Sequence, residues 1–183
     1  MEFALTEREK RILIDTARAA IEARLTRNPP RFPEPTPALQ APCGAFVTLK
    51  AGGSLRGCIG HIAATEPLVD TVKEVAVSSA FEDPRFPPLR REEWGGIRVE
   101  ISVLSPFERI TDPARVIVGV HGLMVKRGYR SGLLLPQVAT EQGWDRETFL
   151  AHACRKAGLP PDAWRLPDTQ LEIFSALVFH EDA

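Results

Sequence analysis

The chain has 183 residues, of which 44% are hydrophobic and 26% charged, and its formal net charge is -1. This length and composition fit one globular domain or two small ones, and the balanced charge argues against nucleic acid or an acidic membrane surface as a partner. The apolar runs are too short to cross a bilayer, and the polar residues 1–10 lack the apolar region of a secretory signal. We therefore expect a cytoplasmic protein with no membrane association.

The first half of the chain predicts a helix followed by a β-hairpin. Thr6 and Glu9 form a capping box, which predicts a helix that runs to about Leu25. Residues 29–42 contain six prolines, so we expect an extended connection rather than a helix or a central strand. Residues 45–49 alternate as a strand does, Gly52 and Gly53 favour a hairpin turn, and residues 54–60 are the predicted returning strand.

The second half mixes strands and helices without a regular βαβ rhythm. A helix is predicted from Thr65 to the proline-rich residues 81–89, and another from the cap Asp145 to Ala157. The predicted strands are residues 97–103, 116–120, 123–126, 132–136 and 171–179. This order favours an α+β fold, with mixed or antiparallel sheets packed against helices, over a doubly wound α/β fold.

The three cysteines, Cys43, Cys58 and Cys154, show no metal-binding or disulfide pattern. Their number is odd and no Cys-x-x-Cys spacing occurs, so we expect reduced thiols and no structural zinc. The common nucleotide-binding, hydrolase and zinc-protease motifs are also missing. The sequence therefore indicates no metal and no cofactor.

The hexapeptide LRGCIG, residues 55–60, concentrates the most chemistry in the chain. In a regular strand Arg56 and Cys58 share one face, with Cα atoms about 7 Å apart, and a nearby cation favours the reactive thiolate. Cys58 could then be a nucleophile, with His61 as a base. The alternatives are a half-buried strand cysteine, a surface ion pair for Arg56 and a solvated histidine.

Three further residues complete a hypothetical site. Glu100 lies on the polar face of the predicted strand 97–103 and could be a general base. It could equally pair with Arg56, Arg85 or Arg98 on a half-solvated sheet. Arg85 could line the same cleft, and Gln137 could offer its amide to a ligand or simply begin a helix.

These residues carry a resemblance to a known family. The hexapeptide resembles the signature of the AMMECR domain family, whose prokaryotic members are called AmmeMemoRadiSam system protein A. The resemblance covers about residues 5–181, and its further blocks are residues 44–49, 83–86, 100–104 and 133–139, Trp144, and residues 156–159. It implies a single α+β domain over residues 1–183 with a larger and a smaller subdomain, the smaller one within about residues 55–105.

The resemblance also implies partners but supplies no reaction. Members of the AMMECR domain family are associated with a Memo-type protein and with a radical S-adenosylmethionine protein. One hypothesis is an enzyme, or an enzyme subunit, that modifies a small molecule or a protein in a cleft around the hexapeptide. Its hypothetical catalytic residues are Cys58, Arg56 and Glu100, and its hypothetical substrate-binding residues are Arg85, Gln137 and His61. The alternative is a non-catalytic adaptor that docks on those partners and uses the hexapeptide architecturally.

Overall fold

A computed structural model describes residues 4–63 and 65–181. Its helices are α1 (Glu7–Thr26), α2 (Leu68–Phe81), α3 (Pro136–Glu141) and α4 (Arg146–Lys156). Its strands are β1 (Ala45–Ala51), β2 (Ser54–His61), β3 (Ile97–Leu104), β4 (Glu108–Ile110), β5 (Gly122–Arg127), β6 (Arg130–Leu134), β7 (Gln170–Phe174) and β8 (Ala176–His180). The predicted α+β class is confirmed.

The chain divides into two compact units, Met1–Leu104 with Leu177–Ala183, and Ser105–Ala176. The smaller unit, Ser105–Ala176, therefore comes after about residues 55–105 in the sequence, which is the range where a smaller subdomain is predicted. The reason is that β1, β2 and β3 pair side by side in one sheet, so residues 45–104 cannot be divided between units.

The first unit is a four-stranded sheet in the order β2-β1-β3-β8, packed against α1 and α2. One sheet face is apolar and fully buried, and it includes Val47, Leu49, Val99 and Ile101. Side chains alternate along strands. The opposite face therefore carries Thr48 of β1, with Cys58 and Glu100 directly opposite it on the two neighbouring strands.

The capping box that begins α1 is confirmed. The Glu9 N–H donates to the Thr6 hydroxyl at 3.3 Å, and the Thr6 N–H donates to the Glu9 carboxylate at 2.8 Å. The proline-rich connection differs from its prediction, because residues Pro37–Gln40 form one turn of 3₁₀ helix. A proline in a first helical turn loses no hydrogen bond, since the first N–H groups have no partner within a helix.

The predicted hairpin is also confirmed, but its register is shifted. Gly52 and Gly53 have φ values of 54° and 82°, a left-handed backbone that favours glycine. Leu49 lies opposite Gly57, while Lys50 lies opposite Leu55. Arg56 is therefore the extra residue of a β-bulge, which interrupts the alternation predicted for residues 55–60.

The second unit has a four-stranded sheet in the order β4-β7-β5-β6, and α4 packs against β5 and β6. Its core includes Leu123, Val125, Phe149 and Leu150. The cap predicted for α4 is confirmed, because Asp145 accepts a hydrogen bond from the Thr148 N–H at 2.8 Å. All recorded strand pairs of both sheets are antiparallel.

Three predicted elements were wrong in detail. Residues 116–120 form turns rather than a strand, and the Ile117 N–H is bonded to His121 Nδ1 at 3.2 Å. The predicted strand 171–179 is two strands, β7 and β8, which belong to different sheets. The second helix begins at Leu68 with Pro67, not Thr65, as its N-cap residue.

Among the described helices, none has the length and apolar character that a membrane span requires.

Candidate site around Cys58

Cys58 differs from the other two cysteines in its surroundings. Cys43 and Cys154 are buried in apolar cores, and burial raises the pKa of both thiols. Cys58 is half-buried on the polar face of β2, where the Thr48 hydroxyl donates a hydrogen bond to its sulfur at 3.2 Å. A hydroxyl donor of this kind stabilises negative charge on the sulfur.

The backbone of Cys58 is held by two side chains that follow α2. The Cys58 N–H donates to the Asp83 carboxylate at 2.9 Å, and Arg85 Nη2 donates to the Cys58 carbonyl at 3.2 Å. Because β2 is an edge strand, these side chains take the place that a further strand would occupy.

Asp83 and Arg85 are also bonded to each other. Asp83 accepts from the Arg85 backbone N–H and Nε at 3.0 Å each, and from Arg85 Nη2 at 2.7 Å. The bonds from Arg85, together with the Cys58 N–H, outweigh the effect of burial and hold the pKa of Asp83 well below its usual range. The carboxylate is therefore ionised wherever the protein is folded under ordinary conditions.

The Arg56 guanidinium is bonded to the segment that follows α2, and its role toward the Cys58 thiol stays a prediction. Its Nε donates to Glu93 at 2.9 Å, and its Nη2 donates to the Pro87 carbonyl at 3.0 Å. The bonds from Arg56 lower the pKa of Glu93. The bulge places Arg56 outside the regular alternation, so its guanidinium joins the segment after α2 to β2.

The two glycines of the hexapeptide permit close packing. A Cβ on Gly57 would overlap the Ser79 carbonyl oxygen of α2, and a Cβ on Gly60 would overlap the ring of Phe46. The Ser79 hydroxyl also accepts a hydrogen bond from the Ile59 N–H at 2.9 Å. The contacts of Gly57 and Ile59 with Ser79 bring α2 directly onto β2.

Glu100 and His61 have partners other than the thiol. Glu100 lies two strands from Cys58, at a Cα distance of about 10 Å for ordinary strand spacing, and its carboxylate pairs with Lys50 Nζ at 2.8 Å. His61 Nε2 lies 3.1 Å from the Glu74 carboxylate of α2. Thr48 lies between Glu100 and Cys58 in the sheet, and a base role for Glu100 stays a prediction.

Gln137 belongs to the other compact unit. It is an exposed residue in the first turn of α3, as the alternative in the sequence analysis describes. Its role toward a ligand stays a prediction.

Two open cavities lie on the first unit, and each is lined by one of the predicted site residues, Arg56 or Glu100. One of about 510 Å³ is lined by Arg56, Pro87, Arg90, Glu92 and Glu93. The other, of about 370 Å³, is lined by Lys50, Arg98, Val99, Glu100, His180 and Glu181. Within residues 4–63 and 65–181, no group of three or more His, Cys, Asp or Glu side chains has a metal-binding arrangement.

Sequence reasoning missed two residues of the site, Asp83 and Thr48. Asp83 lies in the block that carries the family resemblance, and its spacing from Arg85 in a proline-containing turn was an available signal. Thr48 had no such signal, because a regular hairpin would place Gly57 rather than Cys58 opposite it.

Comparison with known proteins decides the family. The AMMECR1 family model matches residues 14–179. The chain belongs to the AMMECR1 family. A protein of Methanothermobacter thermautotrophicus is 48% identical to it over the whole of both chains. Protein MK0488 of Methanopyrus kandleri is also 48% identical, over 81% of this chain and 76% of its own.

A solved structure of a family relative has the same fold. The crystal structure of PH0010, an uncharacterized protein of Pyrococcus horikoshii, matches with a TM-score of 0.83 at 43% identity. The match covers 98% of this chain and 95% of that chain. The family and the fold of this AMMECR1 protein therefore stand on both sequence and structure.

Proposed function

We propose that this AMMECR1-family protein is an enzyme, or an enzyme subunit, whose reacting group is the Cys58 thiol. It modifies a small molecule or a protein, and it acts with a Memo-type protein and a radical S-adenosylmethionine protein. The observation that carries the proposal is the polar, half-buried position of Cys58. The Thr48 hydroxyl donates to its sulfur, its backbone N–H donates to Asp83, and its carbonyl accepts from Arg85.

Stabilised charge and fixed geometry both favour Cys58 as the reacting group. A thiolate is the nucleophilic form of cysteine, and donors directed at sulfur favour it. A reacting group also gains from a fixed position, because orientation is then supplied before the substrate binds. Thr48 supplies the donor, while Asp83 and Arg85 fix the strand on which the sulfur lies.

The test is reconstitution of the three proteins with S-adenosylmethionine, a reductant and a small-molecule extract. Mass spectrometry then compares the products and the protein adducts formed with wild type and with Cys58→Ser. We expect at least one product or Cys58 adduct to depend on the thiol. Cys43→Ser serves as the control, and identical spectra for wild type and Cys58→Ser would contradict the proposal.

A second candidate is the non-catalytic adaptor, and a specific observation favours it. The candidate charged groups are already engaged internally: Arg56 with Glu93, Arg85 with Asp83, and Glu100 with Lys50. Under this hypothesis Cys58→Ser retains binding to both partners in a pull-down while thermal stability falls. Loss of binding without loss of stability would instead assign the thiol to the partner interface.

We also propose that the protein resides in the cytoplasm. The support is chemical, since its three cysteines are unbridged and a reducing compartment keeps thiols in that state. Thiol labelling of intact cells with membrane-impermeant and membrane-permeant reagents tests this location. Labelling of Cys58 by the impermeant reagent would argue against it.

A further inference from the structure

The Arg85 guanidinium is fixed on one side and open on the other. Its Nε and Nη2 donate to Asp83 and to the Cys58 carbonyl. Its Nη1 makes no hydrogen bond to any residue within the described ranges. The Arg85 side chain is 54% exposed, whereas its partner Asp83 is only 2% exposed.

This arrangement is an oriented cation bonded to the backbone carbonyl of Cys58. The Asp83 hydrogen bond raises the pKa of Arg85 most, and the charge on the Cys58 sulfur acts in the same direction. A guanidinium donates pairwise to carboxylate and phosphate oxygens, and the binding cost falls when its geometry is already fixed.

We propose that Arg85 holds a carboxylate or phosphate group of the substrate beside the Cys58 thiol, and that Asp83 positions the Arg85 guanidinium for this role. This inference rests on the proposed function of Cys58 as the reacting group. It adds a chemical class of substrate, one that bears an oxyanion close to the atom that the thiol contacts.

Arg56 is a matched control within the same molecule. It is also paired with a carboxylate, and both guanidinium carbons lie over the Phe86 ring, Arg56 at 5.9 Å and Arg85 at 5.6 Å. The Arg56 side chain is only 11% exposed, however, and its bonds go to Glu93 and Pro87 rather than to Cys58. Removing Arg56 therefore removes a similar cation without removing the oxyanion site.

The test uses two alkylating reagents that differ mainly in charge. Iodoacetate carries a carboxylate and iodoacetamide is its neutral counterpart, and both transfer their carbon to the thiolate as iodide leaves. The ratio of their rates at Cys58 is measured by peptide mass spectrometry. This ratio does not depend on the fraction of thiolate or on the accessibility of the sulfur, because both affect the two reagents equally. A merely structural role of Arg85 does not change this ratio.

We expect the iodoacetate-to-iodoacetamide ratio at Cys58 to be about two- to fivefold higher in the folded protein than in the urea-unfolded chain, the factor that one exposed ion pair supplies. Arg85→Gln should return the ratio to the unfolded value, Asp83→Asn should lower it partly, and Arg56→Gln should leave it unchanged. Inorganic phosphate and acetate are added as competitors, and the stronger suppressor of the iodoacetate rate identifies the preferred oxyanion.

Two results overturn the inference while leaving Cys58 a reactive thiol: an unchanged ratio in Arg85→Gln, or an equal fall in Arg56→Gln. If Cys58 in the folded protein reacts with neither reagent, the proposed function fails as well. If Arg85→Gln unfolds, Arg85→Lys replaces it: this variant keeps the charge but loses the paired donors, so the ratio should fall below the wild-type value, and an unchanged ratio would overturn the inference.

Discussion

Two arginine–carboxylate pairs hold the segment after α2 against β2, and they are built in opposite ways. In the Asp83–Arg85 pair the carboxylate is 2% exposed and the arginine 54% exposed. In the Arg56–Glu93 pair the arginine is 11% exposed and the carboxylate 38% exposed. The buried member of each pair supports the fold, while the exposed member is accessible to solvent and ligand. Only the Asp83–Arg85 pair therefore presents a cation next to Cys58.

The largest expected effect comes from removing the buried carboxylate. Asp83→Asn weakens the charge-assisted bonds to Arg85 and to the Cys58 N–H, so we expect a loss of about 2–3 kcal/mol in the free energy of unfolding. Urea denaturation measures it. The matched control is Glu93→Gln, whose exposed carboxylate should cost less than about 1 kcal/mol. Equal losses in the two variants would contradict the difference between the pairs.

The same carboxylate predicts a pH dependence. The pKa of Asp83 is lowered on folding from its ordinary value of 3.8, so its stabilising effect is complete above that value and is lost as the pH falls below it. The stability difference between wild type and Asp83→Asn should be constant from neutral pH to about pH 5 and should shrink below about pH 4. Urea titrations across this range measure the difference, and one that grows on acidification would have the wrong sign.

The two arginines should both support the fold, for different reasons. Arg56→Gln loses a buried guanidinium, its bond to the Pro87 carbonyl and its packing on Phe86, at a cost of about 1–2 kcal/mol. Arg85→Gln leaves the buried Asp83 carboxylate without its cation, so it should cost about 2–3 kcal/mol although the Arg85 side chain is itself exposed. Thermal melts and urea curves of both variants provide the measurement. A cost below about 1 kcal/mol for Arg85→Gln would contradict the dependence of Asp83 on Arg85.

The smallest effect concerns the hydroxyl on the sulfur. Thr48→Val keeps the shape of the side chain but removes the hydrogen bond to Cys58, so alkylation of Cys58 by iodoacetamide should slow about two- to threefold. Thermal stability is measured alongside the rate. A faster reaction would show that Thr48 restrains the thiol rather than supporting it.

The sequence predicted most elements of the first unit, because their signals are local. The capping box of Thr6 and Glu9, the turn at Gly52 and Gly53, and the alternation of residues 97–103 each depend on neighbouring residues. The bulge at Arg56 does not, since it depends on how β2 meets both β1 and α2. Without the bulge, Thr48 would face Gly57 and the site would lack its hydroxyl donor.

The candidate site was predicted in part for the same reason. Cys58 was identified by its hexapeptide, and Arg85 by its family block. Their connection through Asp83 joins residues 25 positions apart in sequence, from Cys58 to Asp83. Periodicity cannot reveal such a contact. Conversely, Arg56 was placed beside the thiol by regular alternation, which the bulge breaks.

The most direct test of the account is the rate at which iodoacetamide alkylates Cys58 in the folded protein, compared with the same residue in the urea-unfolded chain. Burial alone slows a thiol, so a half-buried structural cysteine reacts more slowly when the protein is folded. If Cys58 is the reacting group, Thr48 and Arg85 should offset that loss, and we predict a folded-state rate at least equal to the unfolded-state rate. If the folded-state rate is lower than the unfolded-state rate by a factor of about ten or more, the claim that Cys58 is the reacting group is contradicted.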